Sequence, residues 1–293
     1  MINYDNKNWF KFLFRTKGTL YSGIIVSTLT MGIITFILCL LHDKYAILNF
    51  PINASTILSS ISLVVGMLLV FRMNTAYDRW WEGRKLLGQL MNTSRFLALK
   101  IEYYVNDIQL KEKLENLTVC YSFALAEHLQ GVSEYKKTIS YLTLENKDGF
   151  LNSKHKPSYI LRCLSKEFFD LNKSQQISNE QLLTLENCIS TFTDIIGCCE
   201  RIKNTPIPFA YAIHLKRIIL LYCLLLPFTL ITAMGYWSIL VVMLVFFVLV
   251  GIEIIGEEIE DPFGNDENDL PIIETAYNIK KNVEYLITSK LYS

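Results

Sequence analysis

The stretch FRMNTAYDRWWEGRKLLGQLMNTSR, Phe71–Arg95, decides how this chain is read. It starts at the last residue of the apolar run Ile57–Phe71 and continues through Arg72, Arg79, Arg84 and Lys85 without a proline or other turn signal between the two halves. Apolar residues at spacings of three and four carry on through Leu86–Tyr104, so the pattern predicts one helix that leaves an apolar medium and enters water. The apolar half has 15 residues. At a rise of about 1.5 Å each they cover roughly 22 Å of a hydrocarbon core roughly 30 Å thick. Around this run the chain carries Ser55, Thr56, Ser59, Ser60, Ser62 and Gly66, a poor surface for lipid. Ser55, Ser59, Ser62 and Gly66 make a stripe of small residues on one face, suited to close helix packing or to lining water. On the water-lining reading, Arg72, Arg79 and Arg84 stand at the mouth of the path. Tyr77, Trp80 and Trp81 then sit at headgroup level or against neighbouring subunits. Four short spans with so narrow a polar face cannot enclose a channel in one chain, so an oligomer about a central axis is expected.

The rest of the sequence fits a membrane protein. Of 293 residues, 51% are hydrophobic, and mean hydropathy is positive. The apolar residues concentrate in Leu20–Leu41, Ile57–Phe71 and Ile218–Ile255, and the last run is divided by MGYW, Met234–Trp237, into two spans with a tight turn. Leu20–Leu41 is too long for the apolar core of a signal peptide. Lys7, Lys11, Arg15 and Lys17 precede the first span, whereas the link to the second carries only Lys44 and an offsetting Asp43. The positive-inside rule therefore puts the N-terminus in the cytosol, and four crossings return the C-terminus there. The expected organisation is a cytosolic interfacial segment at 1–19, two spans at 20–71, a cytosolic helical domain at 72–215, two further spans at 216–256, and an acidic turn and helix at 257–293. The fold class is all-α: four membrane helices per chain plus a cytosolic helical bundle, assembled around a central pore.

Balanced charge, 28 Lys+Arg against 28 Asp+Glu, points to no nucleic-acid partner. The seven cysteines and four histidines show neither a CxxC pair nor a zinc spacing, so neither disulfides nor metal ligation by them is expected. No GxSxG, HExxH, P-loop or dinucleotide fingerprint is present, and the histidines form no recognisable triad, so an enzyme is not expected. Glu253 lies within the apolar VLVGIEIIG and needs a partner, for which Arg72, Arg79 and Lys216 are candidates by depth.

Three separated motifs resemble the bestrophin family in its bacterial branch: the opening stretch, CCERIKNTPIPFAYAIHLKRIILLYCLLLPF at Cys198–Phe228, and GIEIIGEEIEDPFGNDENDLP at Gly251–Pro271. The resemblance implies a homopentameric ion channel in the inner (plasma) membrane. Its second helix would line a membrane neck above a cytosolic vestibule that ends in a second constriction. Counting back from Arg72 and Tyr77, the family's neck positions fall on Thr56, Ser60 and Val64, and the cytosolic constriction on Ile177 in QQISNEQ. Family members usually carry bulky apolar residues at the neck, so two hydroxyl residues here imply a wider or better-hydrated passage. In animal members the turn matching EEIEDPFGNDEND binds calcium, and Asp266 and Asp269 fall on its side-chain ligand positions. Bacterial members are not generally calcium-gated, so no cofactor is expected, and the turn is read as solvated or paired with basic residues of an adjacent subunit. Family membership leaves the sign of the ion open. Anions such as chloride are favoured because no acidic residue lies between Phe50 and Phe71. A cation channel and a non-conducting membrane-anchored scaffold or sensor are the alternatives.

Overall fold

The computed structural model describes residues 21–45, 54–266 and 268–287. The interfacial segment expected at 1–19 lies outside them. The described residues form helices and no strands. In chain order these are α1 (Tyr21–Tyr45), α2 (Ala54–Tyr104), α3 (Ile108–Leu129), α4 (Lys136–Ile139), α5 (Leu144–Asn152), α6 (Lys156–Lys173), α7 (Asn179–Asn204), α8 (Phe209–Met234), α9 (Trp237–Glu260) and α10 (Ile272–Ile287).

The chain divides into two compact units. The first runs up to Trp80 and takes in Pro206–Asp261 and Asp266–Asn268; the second comprises Trp81–Thr205, Pro262–Asn265 and the residues from Asp269 on. In the first unit, α1, α8, α9 and the N-terminal part of α2 are long and apolar enough to cross a membrane. Their common core is Met31, Val65, Leu69, Leu215, Ile219, Cys223, Leu226, Val242 and Phe246. Most side chains that remain on the outside of α1 and α9, such as Val26, Ile33, Leu240 and Leu244, are apolar, and the exposed hydroxyls of Ser27 and Thr30 on α1 donate back to the Gly23 and Val26 carbonyls, as a lipid-facing surface requires. At Gly32 an added Cβ would stand 2.6 Å from Met243 Sδ, so α1 and α9 approach closely there and a larger residue would displace the Met243 side chain. The turn expected in MGYW is present: α8 ends at Met234, Gly235 takes φ +55°, a value that favours glycine, and α9 begins at Trp237. Pro227 sits inside α8, where it removes one backbone donor.

The second unit is a helical bundle around Leu97, Ile101, Leu114, Phe123, Ile160, Phe168 and Phe192. Local chemistry sets its helix ends. Asp107 caps α3 by accepting from Gln109 N–H, and Ser178 with Gln181 forms a reciprocal capping box at the start of α7. Lys156 donates to the carbonyls of Phe150, Leu151 and Ser153, neutralising the C-terminal end of α5.

Candidate functional site

The one helix expected through Phe71 is α2, 51 residues without an interruption between its apolar and charged halves. In the apolar half the inward edge is Val65 and Leu69, which are buried in the core of the first unit. Thr56, Ser60 and Val64 stand away from that edge and are all exposed in the single chain. Residues four apart turn by about 40° around the axis, so the three form a slowly winding line, not a scatter. Ser60 Oγ donates to the carbonyl of Thr56 at 3.1 Å, which leaves the lone pairs of the hydroxyl oxygen facing outward. Of the neighbouring stripe, Ser62 donates to the Ser59 carbonyl at 2.7 Å and lies against Tyr222 of α8. Gly66 has nothing within 4 Å of where a Cβ would stand, so this part of the stripe serves no packing within its own chain.

The line can be followed along α2 by helix geometry. Eighteen residues make five turns, so Asp78 shares the azimuth of Ser60 on an ideal helix. Asp78 is exposed. The sequence reading placed only basic and aromatic residues beyond Phe71 and did not single out this carboxylate; the eighteen-residue spacing from Ser60 was the available signal.

The basic residues placed at the mouth behave differently from that expectation. Arg72 is 2% exposed, and its Nη2 lies 2.6 Å from Glu260 Oε2. Arg79 Nε donates to the backbone carbonyl of Glu260 at 3.0 Å, satisfying an orphan acceptor at the last residue of α9. The other carboxylate oxygen of Glu260 accepts from Ile207 N–H ahead of α8. One acid therefore joins α2, α9 and the entry to α8, and the two arginines are engaged inside the chain. Lys216 lies 3.6 Å from the buried Glu253 and 2.8 Å from Glu257, so Glu253 has the ion-pair partner its position demands. The acidic cluster is accordingly consumed in part by basic residues of the same chain, where a solvated turn or pairing with an adjacent subunit was the expectation. Charged groups on apolar helices are costly without such partners.

Among the aromatic residues, Trp80 is tied down: its Nε1 donates to the Asn268 carbonyl at 3.3 Å, and Tyr77 stacks on it with ring centroids 6.2 Å apart. Tyr77 and Trp81 remain about half exposed. Ile177, placed at the cytosolic constriction, is buried at 4% within its own chain. It immediately precedes the capping box of α7, a position from which an apolar side chain packs back onto its helix. It is not offered to an open lumen by the single chain.

In the acidic turn, Asp266 is exposed and Asp269 buried, and the two belong to different units. The carbonyls of Pro262, Asn268 and Leu270 already accept from Leu270 N–H, Trp80 Nε1 and Ile272 N–H respectively. A calcium ion asks for six to eight oxygens, many of them loop carbonyls. Three of the turn's carbonyls are thus already engaged within the chain.

The bacterial/fungal bestrophin family model matches residues 1–285. A voltage-dependent anion channel-forming protein of Nostoc sp. is 37% identical over 96% of this chain and 92% of its own length. A protein with the same description from Synechocystis sp. is 35% identical over 95% of this chain and 92% of its own. The crystal structure of a bacterial bestrophin homologue from Klebsiella pneumoniae superposes with a TM-score of 0.86 at 25% identity, covering 92% of this chain and all of that one.

Proposed function

Because the chain belongs to the bacterial and fungal bestrophin family, we propose that it forms a homopentameric channel for small monovalent anions such as chloride, with α2 of each copy lining the path. The observation that carries the reading is the open line of Thr56, Ser60 and Val64 on a membrane-length helix. Two hydroxyl residues in lipid would be poorly solvated, whereas around a shared axis they meet water and one another's copies. Gly66, open in the single chain, supports close packing of a second copy against the same helix. The membrane is the inner (plasma) membrane, with both termini in the cytosol, as the basic flanks of the spans favour. The descriptions of the Nostoc and Synechocystis relatives support anions. The channel needs no cofactor, and chelating calcium leaves its current unchanged.

A second reading, a cation channel, is favoured by two particular observations. Ser60 turns its lone pairs outward, and Asp78 lies further along the same azimuth, so a ring of copies would present oxygen and negative charge to a passing ion.

The deciding experiment is the reversal potential of the purified protein in a planar bilayer under a potassium chloride gradient. A shift to the chloride equilibrium potential supports the anion channel, and a shift to the potassium potential replaces it with the cation channel. Absence of current from an intact oligomer whose neck variants are also silent would leave the membrane-anchored scaffold.

A further inference from the structure

The second unit brings together two histidines that sequence spacing kept apart. His128 is in the last turn of α3, His155 is the residue that caps α6, and Glu200 lies near the end of α7. Both imidazoles direct Nε2 at the same carboxylate oxygen: His128 Nε2 is 2.6 Å and His155 Nε2 2.8 Å from Glu200 Oε1. The imidazole rings stand edge to face, with centroids 4.9 Å apart. One ligand atom from each residue falls within 4.8 Å of the other two. Burial alone would push the Glu200 carboxyl up, but the hydrogen bonds from His155 and His128 outweigh it and hold the carboxyl below its ordinary range. Glu200 is therefore an anion aimed at by two nitrogen ligands. All three side chains are between a quarter and two-fifths exposed, which leaves an approach from solvent and room for a further water ligand.

We propose that His128, His155 and Glu200 form a binding site for a divalent transition metal of the zinc class. Two imidazoles and one carboxylate are a donor set that zinc takes with a water as fourth ligand, whereas calcium and magnesium prefer oxygen alone. Bonds of about 2.0 Å in a tetrahedral array hold ligand atoms about 3.3 Å apart. The two histidine–carboxylate separations, 2.6 and 2.8 Å, need to open by only about half an ångström to admit the ion.

The site carries a distinguishing consequence at His155. Its Nδ1 accepts from Ser158 N–H at 3.2 Å, so without metal the ring proton stands on Nε2 and faces Glu200. Metal ligation takes the Nε2 lone pair. The proton then moves to Nδ1, and the Ser158 hydrogen bond that caps α6 is lost. A helix cap is a small fraction of the binding energy of a zinc site, so the exchange is favourable overall. The ion would clamp the end of α3 to α7 while loosening the first turn of α6. The proposal does not depend on the channel reading, because all three ligands lie in the second unit.

The test uses the full-length protein in detergent, free of any affinity tag, titrated with zinc chloride by calorimetry and with cobalt chloride by visible absorption. One ion per chain with tetrahedral cobalt bands is expected, together with faster hydrogen exchange at the Ser158 amide on zinc addition. His155→Ala should weaken zinc binding at least tenfold, and Glu200→Gln, which keeps the shape and an oxygen for the histidines, should do the same while the protein elutes unchanged on size exclusion. Undiminished binding in both variants would overturn the assignment. So would the absence of binding by the native protein at millimolar zinc, or zinc binding that leaves Ser158 exchange unaltered.

Discussion

Helices α2 and α9 are both members of the membrane-length set and differ in what they leave uncovered. The exposed side chains of α9 are Trp237, Leu240, Leu244, Val248 and Ile255, a surface that lipid satisfies without help, with Glu257 in the last turn paired to Lys216. Those of α2 include Thr56, Ser59, Ser60, Asn74, Thr75 and Asp78 beside Leu63, Val64 and Met67. Lipid cannot satisfy such a face. The difference teaches that α9 leaves a surface apolar enough for lipid, whereas α2 leaves a polar one, which on the proposed reading other copies and water complete. Their meeting point makes the same distinction at the level of charge, since Arg72 of α2 is neutralised by Glu260 of α9 and Asp78 is left facing outward.

The largest effect is expected where the two helices are joined. Arg72→Met leaves the Glu260 carboxylate without its guanidinium, and breaking a buried pair costs about 3–5 kcal/mol. A thermal melt in detergent should show a sharply lowered midpoint; an unchanged one would mean that the pair does not hold α2 to α9. Next comes assembly. Gly66→Leu has room in the single chain, so it should leave the helical signal in circular dichroism intact while shifting crosslinking products from a five-subunit ladder towards smaller species. A full ladder with the leucine in place would remove this face of α2 from the subunit contact.

The third prediction sets the helices against each other in one assay. Ser60→Phe should abolish most of the single-channel conductance by narrowing the hydrated neck, while Leu244→Phe on α9 should leave conductance unaltered and stability within about 0.5 kcal/mol. Equal effects at both positions would erase the contrast between α2 and α9. The smallest change is expected at Asp78→Asn, which removes a charge without altering shape. The reversal potential should move towards the chloride value by several millivolts at low salt and by less at high salt, because screening shortens the reach of the carboxylate. No movement at any ionic strength would take Asp78 away from the ion path.

Much of this contrast was legible in the sequence. A 15-residue apolar run that flows without a turn into Arg72–Trp81 predicts one unbroken helix, and α2 is that helix. MGYW likewise marked the break between α8 and α9, because a glycine between apolar runs supplies the backbone freedom a tight turn needs. The fate of the arginines was not legible. Arg72 and Arg79 look like a mouth because their partner, Glu260, is far away in sequence and was grouped with an acidic turn. The burial of Ile177 was not legible for a related reason: a single apolar residue in a polar loop gives no sign of which side it packs on until the cap of α7 is known. His128, His155 and Glu200 escaped spacing rules altogether, since each is delivered by a different helix.

The central claim, that the uncovered face of α2 borders the ion path, is tested most directly by placing one thiol on each helix. Ser60→Cys and Leu244→Cys are compared under charged methanethiosulfonate reagents in the bilayer, where the native membrane cysteines Cys39 and Cys223 are buried and give little background. The account predicts rapid block of current in Ser60→Cys and none in Leu244→Cys. Block at Leu244 with continued conduction in a fully labelled Ser60→Cys would contradict it.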